Sequence, residues 1–106
     1  MKKQTDSAPH SPSIQAMVWY KEEDWDRLLE LFTDGHLLPP NYQEWLKRAE
    51  EMVKKVEASG DIVMKVFIDP ETFPLWCRKK GKEMDMHART ELAIEVATKQ
   101  SFGAKT

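Results

Sequence analysis

One cysteine, four glycines and no long apolar run in 106 residues exclude several classes of protein at the outset. The single thiol, Cys77, permits no intramolecular disulfide, so the fold must stand on packing, as suits a reducing compartment. With so few glycines the chain has no phosphate-cradling loop, and no nucleophile elbow occurs. Its apolar stretches run a few residues, against the roughly 20 that span a bilayer. Two lysines near the start are not followed by an apolar stretch, so residues 1–16 do not read as a secretory leader. Charge of one sign is lacking too. A net charge of -2 gives no global attraction to nucleic acid or to an anionic membrane. A cytoplasmic chain without membrane contact is expected.

Metal chemistry has little to work with. His10, His36 and His87 show no pair at zinc-ligand spacing, and the lone cysteine adds nothing. His87 and Glu91 are four apart, enough for a hydrogen bond but short of a metal site. No metal and no cofactor are expected.

What is present is a globular composition, 41% apolar and 32% charged, in a chain that can hold one core but not two. Residues 1–13 are polar and carry Pro9 and Pro12, the composition changes at Ile14, and the expectation is a disordered tail over residues 1–15. Residues 16–99 form the domain, and 100–106 a frayed end. Residues 16–20 read as a weak strand, because the alternation breaks at Met17-Val18. From Glu22 the period turns helical, with Trp25, Leu28, Leu29 and Phe32 on one stripe. Gly35 is expected to end this helix in the left-handed conformation.

Asn41, with Glu44 three residues later, caps a second helix whose stripe is Trp45, Leu46, Ala49, Met52, Val53 and Val56. Gly60 ends it. Residues 62–68 are a strong strand, branched and apolar between Gly60-Asp61 and Asp69-Pro70. Asp69 is expected to cap a third helix with Pro70 at its first position and Phe73, Trp76 and Cys77 inward, ending at Gly81. Asp85 opens a fourth, with Ala88, Leu92, Ala93, Val96 and Ala97 inward to about Lys99. The fold class is therefore α+β, mainly helical, with four helices and a small sheet.

The strong strand carries the functional argument. A lone strand cannot satisfy its own backbone, and the only partner in the chain is the segment around Met17–Tyr20. Helices between them make that pairing parallel, and a sheet of two strands leaves its outer edges open. A homodimer is expected, with Ile62, Met64, Val66, Ile68 and Phe67 at or near its interface. Trp19 and Tyr20 either cover the edge of the core or anchor a partner. The competing arrangement has the four helices cover the strand within one copy.

Other candidates have ordinary explanations. Arg78, Lys79, Lys80 and Lys82 are a possible anion or nucleic-acid contact, or the cationic end of a helix complementing its dipole. Cys77, on an inner face near a helix C-terminus, reads as a small buried residue rather than a nucleophile. Glu22, Asp26 and Glu30 share a helical face and read as solvated, without the desolvation that acid–base catalysis near neutrality needs.

The string Trp19-Tyr20, Glu23-Asp24-Trp25, Leu28, then Tyr42, Trp45, Val66, Asp69-Pro70, Phe73 and Trp76-Cys77 resembles a set of small uncharacterised bacterial proteins. The resemblance covers residues 17–97. It implies a bacterial, cytoplasmic protein and brings no activity or catalytic residue. If such relatives begin near Met17, the preceding residues are an extension or Met17 an alternative start. Two functional classes follow. One is a non-enzymatic, self-associating interaction or regulatory module. The other is a small enzyme or ligand-binding protein with a pocket between protomers, using His87, Glu91 or Asp69.

Overall fold

The structure is a computed structural model that describes the backbone of residues 11–103 and the side chains of residues 11–100. Most of the expected tail, His10 included, and the last three residues lie outside the described residues. In chain order the elements are β1 (Ile14–Trp19), a 3-10 turn (Glu22–Asp24), α1 (Trp25–Leu31), a second such turn (Gly35–Leu37), α2 (Tyr42–Ala58), β2 (Ile62–Phe67), α3 (Phe73–Lys80) and α4 (Met86–Gly103). The fold is α+β and mainly helical, as the sequence indicates.

β1 and β2 pair in parallel, from Ile14 opposite Ile62 to Trp19 opposite Phe67. The pairing starts two residues before the expected strand. Polar bonds brace its start: Asp61, just before β2, accepts from the Ser13 N–H at 3.1 Å and from Gln15 Nε2 at 2.9 Å. Hydropathy carries no trace of such side-chain bonds, which is why the strand's start, where the composition changes at Ile14, is hard to fix from sequence. At the other end the Ile68 N–H still donates to the Trp19 carbonyl, at 3.0 Å, so the ladder closes one residue past β2.

Two helices flank this ribbon. α2 packs against β2, and its Trp45 meets the Trp19 ring edge-on at 5.2 Å. α4 crosses both strands. Successive strand residues alternate faces, and the result is visible from Met64 onward: Val66 and Ile68 are buried while Lys65 and Phe67 are exposed. The main core is aromatic. Trp19, Tyr20, Trp25, Phe32, Trp45 and Phe73 are all buried and touch ring to ring along a chain of contacts. Such large rings let a short chain bury much of its surface.

Local expectations hold where capping decides them. Asn41 Oδ1 accepts the Glu44 N–H at 2.8 Å and starts α2. Asp85 Oδ1 accepts the Ala88 N–H at 3.0 Å and starts α4, and Gly81 ends α3 with φ of 70°. Four details differ. Gly35 has no positive φ; a Cβ there would stand 2.2 Å from the Leu29 carbonyl oxygen, so close approach is what requires glycine. Asp69 does not cap α3. Its carboxylate closes a turn onto the Glu71 N–H at 2.6 Å, and the helix begins at Phe73 with Pro74 in its first turn. Met52, expected inward, is half exposed, although two turns earlier on nearly the same line of α2 Trp45 is buried. α4 continues to Gly103, past the expected end near Lys99.

Candidate functional site

Ladder geometry fixes which backbone groups the sheet leaves over. The N–H groups of Ile62 and Ile68 donate to the carbonyls of Ser13 and Trp19, at 2.9 and 3.0 Å. In a parallel pair, alternate residues point both N–H and C=O at the same neighbour. Ile62, Met64, Val66 and Ile68 thus face β1, and Val63, Lys65 and Phe67 turn their main-chain groups to the outer edge. Among the described residues no third strand takes them.

Side chains along this edge divide by face. Ile62 is 55% exposed and Phe67 48%, so both ends of β2 present large apolar groups to solvent. Met64 is partly buried, Val66 and Ile68 fully. The Lys65 ammonium stands 4.2 Å from the centre of the Trp19 ring, and Lys21 reaches toward the Phe67 ring at 5.8 Å. Beside the edge, between β2 and α2, a cleft of about 340 Å³ is lined by Glu50, Val53, Lys54, Glu57 and Lys65. Of the expected interface residues, only Ile62 and Phe67 are well exposed. Trp19 and Tyr20 are corrected to core: at 5% and 3% exposed they are already enclosed by Trp45, Trp25 and Phe32.

The basic cluster is half committed elsewhere. Lys80 pairs with Glu95 at 3.3 Å and Lys82 with Glu91, tying α3 and its following loop to α4. Glu95 also accepts from the Trp76 indole at 3.3 Å; that hydrogen bond, opposed by some burial and helped by Lys80 and Lys99, lowers its pKa. Arg78 and Lys79 are exposed. Glu91 is therefore engaged by Lys82 rather than oriented by His87, and Asp69 serves its turn, so the three polar residues considered for a pocket do not converge. Among the described residues no three His, Cys, Asp or Glu side chains are grouped so as to hold a metal ion.

Cys77 is 1% exposed, and burial pushes its thiol up, with Asp85 adding to the rise and Lys82 opposing it. A second cleft of about 330 Å³ passes it, lined by Thr33, Pro74, Arg78, Lys82, Glu83 and Met84 as well. A thiol held protonated beside this cleft is a poor nucleophile.

One residue escaped the sequence reading. Arg89 is buried at 4% and forms a fork onto Asp34, with Nη–Oδ distances of 2.8 and 3.3 Å. Its guanidinium also lies 4.2 Å from the Phe32 ring centre. The signal was its position: Arg89 stands four residues before Ala93 and three before Leu92, within the apolar stripe of α4. The network joins the end of α1 to the start of α4 and is structural in character.

Among the described residues no helix is long and apolar enough to cross a membrane. Searches of family models, curated proteins and solved structures return no match for this chain.

Proposed function

We propose that this protein is a non-enzymatic interaction or regulatory module that works by associating with a second copy of itself, in the bacterial cytoplasmic setting its sequence pattern resembles. The observation that carries the reading is the outer edge of β2: main-chain groups at Val63, Lys65 and Phe67 that no strand among the described residues takes, flanked by exposed Ile62 and Phe67. Two-stranded sheets are marginal, and natural proteins commonly blunt or cover such edges. Here the edge is short and carries one lysine, but it also carries an aromatic ring. An enzyme with a pocket between protomers has less support, because Glu91 is engaged by Lys82 and Asp69 by its own turn, which leaves neither to form a shared polar site with the exposed His87. A nucleic-acid contact through Arg78, Lys79, Lys80 and Lys82 is disfavoured by the pairing of two of the four charges on α4.

Multi-angle light scattering at micromolar concentration tests the reading. A mass about twice the 12.4 kDa of one chain is expected. A monomeric mass for a stably folded protein overturns it.

A further inference from the structure

We infer that two copies join through their β2 edges as antiparallel strands centred on Val66, each Phe67 seating in the cleft between β2 and α2 of the other copy. This rests on the self-association reading and specifies its surface.

A closed dimer has a two-fold axis, and a two-fold axis normal to a sheet makes the meeting strands antiparallel while keeping each face on its own side. Side chains of Val63, Lys65 and Phe67 share the α2 face, and only these residues turn main-chain groups outward. Any hydrogen-bonded register must therefore pair odd-numbered residues with odd-numbered residues. Centring on Lys65 sets the two ammonium groups directly opposite each other, which is destabilising. Centring on Met64 pairs Lys65 with Val63 and leaves both Phe67 rings past the cleft, opposite Asp61. Centring on Val66 pairs each Lys65 with the other copy's Phe67.

In that last register the ring enters on the face that carries α2, next to Lys65, where the cleft of about 340 Å³ has Val53 on its wall. The volume accommodates a phenyl group. The Lys65 ammonium, already set over the Trp19 ring, is placed for a second ring contact. Glu50 and Glu57 with Lys54 and Lys65 make the rim electrically neutral, so a second identical rim is not repelled. One exposed aromatic and one adjacent cleft per copy are each other's complement, and the pair satisfies the open edge of both chains.

Two variants separate the surface from the broader reading. Phe67→Ser removes the anchor from a half-exposed position, and at least tenfold weaker self-association with unchanged circular dichroism is expected. Val66→Cys in a Cys77→Ala background brings a thiol to the non-hydrogen-bonded position facing its own counterpart, where a Cα separation of about 4.5 Å permits a disulfide. Mild oxidation should give a covalent dimer, whereas Lys65→Cys in the same background should link poorly. If Lys65→Cys links and Val66→Cys does not, the register is overturned. If the wild type dimerises but Phe67→Ser does so equally well and neither thiol links, this surface is overturned and self-association stands. A wild type that stays monomeric removes the underlying reading itself.

Discussion

Arg89 shows how much one side chain can decide in a small core. It is the buried charged residue of the described chain, and it persists because Asp34 and the Phe32 ring replace the water it lost. Removing one partner of a buried ion pair leaves the other uncompensated, at about 3–5 kcal/mol. Arg89→Ala should lower stability by about that much in urea unfolding, whereas Arg27→Ala, whose pair with Glu71 is exposed, should cost under about 1 kcal/mol. Burial by itself raises the Asp34 carboxyl pKa, but the hydrogen bond and charge of Arg89, with the Met86 N–H, hold it below its ordinary value. A depressed carboxylate contributes stability that is present above its unfolded pKa of about 3.9 and is lost as pH falls through the lower folded value. The urea midpoint should therefore drop below about pH 4, and Asp34→Asn should flatten that acid limb. Nearby, burial pushes the Tyr20 phenol up despite Arg89, so it stays protonated at neutral pH.

At the scale of elements, β1 is the piece on which the sheet depends. Its first half has weak strand character, and the register is set by the Asp61 carboxylate and by the Ile62 N–H bond to Ser13. A chain beginning at Met17 loses residues 14–16 and all of these bonds. At about 1 kcal/mol per hydrogen bond, the loss amounts to a few kcal/mol. Such a truncation should unfold at distinctly lower urea and fray β2, visible as faster amide exchange at Met64 and Val66; unchanged protection would show that Met17–Trp19 alone holds the sheet. α2 is the contrasting element. Its cap, its stripe and its length were legible locally because all three are written within one segment, and only Met52 fell outside the pattern.

For the molecule as a whole, association and stability are linked. If two copies bind in the folded state alone, each tenfold rise in concentration favours folding, so the thermal midpoint rises with protein concentration. That rise is expected for the wild type and should set in only at concentrations at least about tenfold higher in Phe67→Ser. A midpoint independent of concentration in both would place all the stability within one chain, in the aromatic cluster and the flanking helices.

Most helix positions, the caps at Asn41, Gly81 and Asp85, the strong strand and its parallel partner were written into the sequence, because periodicity, capping residues and β-branched runs act over a few neighbouring residues. The actual roles of Gly35 and Asp69 were not, since each depends on the path its loop takes. The same patterns placed Cys77 inside and Glu22, Asp26 and Glu30 outside, since both follow from which side of a helix faces inward, although Glu22 lies in the 3-10 turn before α1 rather than on the helix itself. Other features needed three dimensions. Trp19 and Tyr20 could equally have been anchors or core until Trp45, Trp25 and Phe32 were seen around them. The Arg89–Asp34 fork spans 55 positions of sequence, and no local rule pairs residues so far apart. Which backbone groups the sheet leaves open depended on register, and register is settled by long-range bonds such as Asp61 to Gln15.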